Sequence, residues 1–525
     1  MELYGIYFAS LALFNAALAS HRSQKSQVEK SDEETLALPK DGASKEEAQR
    51  FKTTYFGVYV LVMAADWLQG PYMYTLYKDE KGLSESLTAA LFTTGFIAAA
   101  VTASFVGSLA DRNGRRLACL TFCVAYSISC LSVLSSDLLM LFIGRALGGL
   151  STTLLYSVFE TWMIAEYHAR GLSESLKLGD MFSSSVTLSG VVAILAGIVG
   201  EAVVGWTGTK IAPFMLAILC LGTAGAGIWN FWVGLLRSLA KIMGENYGEA
   251  VAADPEKSLA AGFAGLQSTL LDKRILTLAV ATTVFEGSMY LFVFFWSPAL
   301  KSSRAISGVT ELPPFGLIFS CFMSAMMMGS MIFSLIELRS ERDTGRLLLS
   351  ILALAAISLL LPVLASAEAL AFWCFSLFEA CVGLYFPTMS RLKSELVEDA
   401  VRGKVYGMMR LPLNVFVVLA LGVTREGKHS LGSRNGNTLM ANNRRRSSWH
   451  GVHFYFRLAS VRLLCGPEML AVDIVTQQEF CILEQYTAFS RPVCVSIKIS
   501  RYYIRQVIAD SGSPAPECRV GNNTR

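Results

Sequence analysis

The sequence predicts an all-α, polytopic membrane protein, and three observations carry that expectation. Hydrophobic residues make up 53% of the 525 positions against 16% charged, with a mean hydropathy of +0.46, a balance foreign to water-soluble chains. Apolar stretches of about 20 residues, enough to cross a bilayer as a helix, recur along the first 425 positions. Helices rather than barrel strands must do the crossing, because a helix satisfies its own backbone within lipid. The formal net charge of +4 is uneven: residues 425–525 hold 14 Lys+Arg and 7 Asp+Glu, leaving 31 and 34 of the totals of 45 and 41 elsewhere. A nearly neutral body with a basic tail disfavours soluble enzymes and nucleic-acid binders as classes.

Hydropathy places twelve helices, at about 4–20, 55–78, 84–109, 117–135, 138–165, 181–203, 211–233, 275–298, 313–337, 347–366, 367–390 and 405–424. The first, with its linker (1–54), reads as an uncleaved anchor, since Met1-Glu2 offers no basic region of the kind that opens a signal peptide. Residues 55–233 then form a six-helix bundle, 234–273 a cytoplasmic interdomain loop, and 274–424 a second bundle with five recognisable helices. Residues 425–525 contain no apolar run long enough to span and form a basic, non-spanning tail. Within it Arg444-Arg445-Arg446 reads as a solvated run or a lipid-attracting patch, and Asn522-Asn523-Thr524 as a sequon by letter only. The second bundle has no twelfth core helix, so the tail is expected on the cytoplasmic side with 405–424 re-entrant or incompletely inserted.

Charge fixes the sidedness. If the loop holding Asp111 to Arg116 is cytoplasmic, the segments on its side collect most of the body's Lys and Arg, and the opposite side holds only Lys78, Lys81, Lys210, Lys301 and Arg304, as the positive-inside rule requires. Several of the eleven cysteines lie inside apolar runs and no C-x-x-C occurs, so they serve as small apolar side chains. None of the five histidines falls within a span and no G-x-x-x-x-G-K-[ST] is present, which leaves intramembrane metal chemistry and direct use of ATP without support. No cofactor is called for. A membrane enzyme lacks a nucleophile and base pair inside the spans.

Function should lie with the ionisable residues of the spans. Asp66, Glu160, Glu286 and Glu379 fall on the first, fourth, seventh and tenth helices after the anchor, and an acid at that depth must face protein or water. Each is either a carboxyl hydrogen-bonded between helices or a group that meets substrate or coupling ion near a repeat interface. Arg145 follows Asp137 by eight positions, about 12 Å of helix, too deep to reach the outer surface easily. Arg410 is six residues beyond Lys404, nearer the inner surface. An arginine so placed needs an anionic partner, a protein carboxylate or a bound oxyanion matched to its planar fork.

The most specific string is Gly107-Ser-Leu-Ala-Asp111-Arg112-Asn-Gly114-Arg115-Arg116. Gly107 suits close helix approach, Gly114 a tight turn, and the Asp/Arg set charge-assisted bonds to a neighbouring helix end. The string resembles the signature loop of the major facilitator superfamily, and Arg145-Ala-Leu-Gly-Gly149 resembles the fourth-helix Arg-x-x-x-Gly of many proton-coupled members. Further runs narrow the likeness: Ala64-Ala65-Asp66-Trp67-Leu68-Gln69-Gly70-Pro71-Tyr72, Gly144 to Thr152, Phe159-Glu160-Thr-Trp162, Gly244-Glu245-Asn246-Tyr247, Leu384-Tyr385-Phe386-Pro387 and Arg410-Leu-Pro412-Leu. Together they resemble the molybdate-anion transporter family over about 50–420, including the extra N-terminal helix. Phe159-Glu160 recurs as Phe378-Glu379, and Glu337 to Arg346 reads as a degraded copy of the signature loop, consistent with two related halves.

That resemblance implies uptake of molybdate, a tetrahedral divalent oxyanion, by alternating access of two halves in the plasma membrane, with Asp66, Arg145, Glu160, Glu286, Glu379 and Arg410 at the substrate or coupling site. Gly107, Asp111, Arg112, Gly114, Arg115 and Arg116 would form the conformational switch loop. The expected partners are molybdate or a similar oxyanion, a coupled proton and the lipid bilayer, with no nucleic acid. A proton-linked carrier of another small solute and a non-transporting sensor on the same fold are the competing expectations, motivated by the excess of core acids over arginines and by the altered ending.

Overall fold

The computed structural model describes residues 2–34, 42–103, 105–232, 273–307, 309, 311–364, 367–396 and 402–422. The interdomain loop, the basic tail with Arg444 to Arg446 and the sequon at Asn522 lie outside the described residues. All twelve expected helices form, and no strand occurs among the described residues. Helix α1 spans Glu2–Glu34 and α2 Gly42–Gln69; α2 gives way to a short α3, Met73–Thr75, and a π turn, Leu76–Glu80. Then come α4 (Glu85–Ala103), α5 (Val106–Asn113), α6 (Arg115–Ser132), α7 (Leu138–Ala169), α8 (Leu178–Thr207) and α9 (Ala212–Phe231). The second half holds α10 (Lys273–Ile306), α11 (Phe315–Phe333), α12 (Glu341–Leu364), α13 (Glu368–Leu396) and α14 (Arg402–Gly422).

Eight of these, α4, α7 to α10 and α11 to α13, are long and apolar enough by themselves to cross a membrane. Helices α1 and α2 carry long polar ends, α6 opens on Arg115-Arg116, and the apolar stretch of α14 is short, Pro412–Gly422. Packing compensates: α2 lies against α8 and α9, α6 against α7 and α9, and α14 against α10 and α4. Residues 402–422 thus form one helix of the second half, packed on α10 and, across the seam, on α4.

Two boundaries differ from expectation. The predicted 55–78 helix stops at Gln69, because Pro71 has no amide hydrogen to donate and Gly70 is a poor helix former. The predicted 84–109 helix is two helices, α4 and α5, broken next to Phe105.

The two halves share a packing plan. In the first, α7 packs on α4 and α6; in the second, α13 packs on α11 and α12. With no hydrophobic drive between helices in lipid, small residues admit the close approach. Gly149 of α7 meets the Gly95 carbonyl of α4, and a Cβ there would collide with it; Gly144 meets Ser132 of α6 in the same way. Gly329 of α11 and Gly383 of α13 do the equivalent, against the carbonyls of Ala380 and Met326. Between the halves run two seams, α8 against α11 and α4 against α14. The extra helix α1 belongs to the second half, where it packs along α11. Buried Asn15 donates to the Ser324 carbonyl at 2.9 Å, Tyr4 donates to Glu368 at 2.5 Å, and the Tyr7 ring stacks on Phe372.

Candidate functional site

Asp66 sits three residues before the end of α2, and its carboxylate accepts the Tyr126 hydroxyl of α6 at 2.7 Å and the Tyr156 hydroxyl of α7 at 3.3 Å. The rest of its sequence run has structural work. Trp67 donates to Ser189 at 3.2 Å, buried Gln69 returns to the Ala65 carbonyl at 3.0 Å, and Tyr72, beyond the Gly70-Pro71 break, reaches Glu201 of α8 at 3.2 Å. Three helices of the first half thus converge on one carboxylate.

Arg145, two turns into α7, forms no ion pair with Asp66 or any other carboxylate among the described residues. Its Nη1 has only the Met73 sulfur, at 3.5 Å, its Nε is buried without a hydrogen-bond partner, and the guanidinium carbon lies 5.5 Å from the centre of the Phe92 ring. Thioether sulfur is a weak acceptor, so the planar fork keeps most of its donor capacity. The guanidinium lies flat against α4 because position 95 is glycine: a Cβ there would stand 2.7 Å from Nη2. Arg145 and Asp66 are not paired with one another among the described residues: the acid is bonded to tyrosine, the guanidinium to Met73.

The wall continues inward along α7. Tyr156, although hydrogen-bonded to Asp66, is 52% exposed, and Glu160 one turn below it is exposed as well.

The second half repeats the arrangement. Glu286 of α10 accepts the Tyr385 hydroxyl of α13 at 3.2 Å, so in each half the acid on the first helix is bonded to a tyrosine on the fourth. Glu286 also lies 3.8 Å from Lys393, three residues from the inner end of α13. Glu379 is 5% exposed and forms no hydrogen bond or ion pair among the described residues. Its sequence counterpart Glu160 is exposed, so the shared Phe-Glu pair differs in burial between the two halves. Arg410 lies on α14; its side chain is outside the described residues.

The switch loop is built as its residues suggest in all but one respect. Gly114 adopts φ 103°, a turn open to glycine, between α5 and α6. Arg115 pairs with Asp111 at 2.9 Å and donates to the Thr161 carbonyl of α7 at 3.4 Å; Arg116 donates to the Trp229 carbonyl at 2.9 Å, at the end of α9. Arg112 is exposed. Gly107 is the exception: a Cβ there would meet nothing within 4 Å, so it does not mediate close helix approach. Among the described residues no cluster of His, Cys, Asp and Glu could hold a metal, and the seven described cysteines are free thiols, six of them buried. Sequence reasoning missed Tyr126 and Tyr156, although Tyr156 precedes Glu160 by one helical turn and shares its face.

Two helical halves, charged residues on their first and fourth helices and a signature loop between α5 and α6 define a multi-pass membrane protein of the major facilitator type. Solved structures agree on the fold: a POT-family peptide transporter (TM-score 0.59, 13% identity, 79% of this chain and 95% of that one) and the nucleoside transporter NupG (TM-score 0.55, 13% identity, 79% and 99%) superpose on it. A family profile described as sugar transporters, 12 TM, matches residues 34–376. Similar curated proteins include the molybdate-anion transporter of Takifugu rubripes, 31% identical over 406 residues (74% of this chain, 82% of the relative), and that of Danio rerio, 33% identical over 389 residues (71% and 79%). The chain belongs to the molybdate-anion transporter family of the major facilitator superfamily. It is a transporter, not an enzyme.

Proposed function

We propose that the chain is a secondary transporter that takes up molybdate across the plasma membrane by alternating access, with Arg145 as the principal anion contact. The observation that carries this reading is the guanidinium itself: a half-buried cation within the first half, its Nε buried without a hydrogen-bond partner and no carboxylate bonded to it among the described residues. Desolvated arginine is costly unless an anion satisfies it, and its fork presents two parallel donors that match two oxygens of a tetrahedral oxyanion. Family membership supplies the particular anion, since the relatives are named for molybdate.

Driving force points to a co-transported cation. Carrying a divalent anion into a negative interior costs about 4.6 kcal/mol per 100 mV, twice the figure of about 2.3 for one charge. Protons offset that cost, and Glu379, buried without a bonded partner among the described residues, is the proposed carrier. Asp66, already held by two tyrosine hydroxyls, anchors the site.

Uptake of labelled molybdate into proteoliposomes containing the full chain tests this. Uptake above empty vesicles, accelerated by an inward proton gradient and losing that acceleration in Glu379→Gln, is expected. Vesicles that bind molybdate without accumulating it would support a sensor instead. Accumulation unaffected by the gradient would remove the proton from the scheme.

A further inference from the structure

The outer end of the molecule holds polar bonds that the transport site does not use. The π turn Leu76–Glu80 is fastened to the turn between α8 and α9: Glu80 accepts the Thr209 hydroxyl and, at 2.8 Å, the Lys210 amide. Asp79 is thereby fixed to the first half, and its carboxylate has two ammonium partners of different origin. Lys210, at 3.2 Å, belongs to the same half; Lys301 of α10, at 2.5 Å, belongs to the other. A second carboxylate repeats the design. Glu201 accepts the Tyr72 hydroxyl from its own half at 3.2 Å and the Gly316 amide, at the first turn of α11 in the other half, at 2.7 Å. Each acid belongs to the first half and takes one donor from each side.

We infer that Asp79 is the outer latch of this protein, an acid that keeps Lys210 throughout and must release Lys301 whenever the two halves part at the outer face. The geometry makes the bond breakable. Lys301 is 39% exposed, so its ammonium regains water when it leaves, whereas Lys210 is 15% exposed and stays enclosed with its carboxylate. The Gly316 amide is one of the amides at a helix start that lack an intrahelical acceptor, and water can replace Glu201 there. The Asp79 pair and the Glu201 bond, beside the close packing of Gly197 on Gly316, hold the outer side shut, while Tyr156 and Glu160 further along α7 are exposed. The inference rests on the alternating-access reading but not on molybdate as substrate.

The test reads the seam directly, without substrate. Ser320 of α11 is fully buried and donates to the Ile194 carbonyl of α8 across the seam at 2.9 Å. In a Ser320→Cys background, a membrane-impermeant maleimide is applied to the outer face of cells, and modification of residue 320 is followed by peptide mass spectrometry so that native cysteines do not interfere. Asp79→Asn and Lys301→Gln should each speed modification roughly tenfold, the loss of one hydrogen bond to a charged group. Lys210→Gln, which removes a bond within one half, should change it by less than about twofold, and Asp79→Glu should stay near the parent. Variants are compared only where they elute as the parent does, and Asp79→Asn reports the same bond if Lys301→Gln does not fold. An unchanged rate in Asp79→Asn, or equal acceleration by Lys210→Gln and Lys301→Gln, would overturn the latch. The expected labelling pattern in a chain that moves no molybdate would leave the latch standing and remove the substrate.

Discussion

Replacing Arg145 by lysine while separately crowding the unchanged arginine distinguishes an anion contact from a buried structural charge. The guanidinium spends little on the protein: one sulfur at 3.5 Å, one aromatic face at 5.5 Å and a buried Nε with no partner. A bound oxyanion would take two of its donors, each worth about 1.5–3 kcal/mol when a charge is involved. Arg145→Lys keeps the charge but loses the fork, so one such bond should vanish and half-saturation should rise roughly ten- to a hundredfold at about 1.4 kcal/mol per tenfold. Gly95→Ala attacks the same geometry without touching the arginine. The added methyl would lie 2.7 Å from Nη2, and because that atom ends a flexible side chain the group moves aside at little cost to the fold. Initial rates of labelled molybdate uptake across a range of concentrations, normalised to reconstituted protein, provide the assay. Both variants should raise half-saturation, and Gly95→Ala should do so with melting temperature unchanged. A lysine variant saturating within twofold of the parent would refute the bidentate contact.

The tyrosines that hold Asp66 should be unequal. Tyr126→Phe removes a 2.7 Å bond inside a buried pocket and should cost about 1–3 kcal/mol of stability in thermal melts, whereas Tyr156→Phe, at 3.3 Å and half-exposed, should cost under about 1 kcal/mol. The glycines separate by contact: Gly149→Ala drives a methyl into the Gly95 carbonyl and should sharply lower yield and melting temperature, while Gly107→Ala meets open space and should match the parent. Asn15→Ala deletes the buried bond to Ser324 that ties α1 to the second half, and should lower stability by about 0.6–1.7 kcal/mol in the same melts.

What the sequence made legible follows from the bilayer. Apolar runs define spans because lipid punishes any alternative, and a helix forms at each of the twelve expected places, although the second stops at Gln69 and the third is broken beside Phe105. The depth of Asp66 and Arg145 marked them for the same reason. Partners were not legible. Tyr126 lies 60 residues from Asp66 and Tyr156 lies 90, and no periodicity in one helix says which hydroxyl of another will face it. Nor does hydropathy show that Lys393 of α13 reaches Glu286, a contact only packing reveals. Gly107 failed as a close-approach residue because helix contact depends on which face turns inward, and the break beside Phe105 re-aims that face.

The joints within and between the halves share close glycine packing and differ in their polar bonds. Within each half, helices meet through glycine against carbonyl, Gly149 on Gly95 and Gly383 on Met326. Between the halves at the outer end, Gly197 of α8 and Gly316 of α11 each face the other's carbonyl in the same way, and beside them carboxylates are shared with donors that water can replace, Lys301 on Asp79 and the Gly316 amide on Glu201. Arg145 sits against α4 at Gly95 with the Met73 sulfur as its hydrogen-bond partner among the described residues, so on the proposed reading an arriving anion would meet no carboxylate to displace.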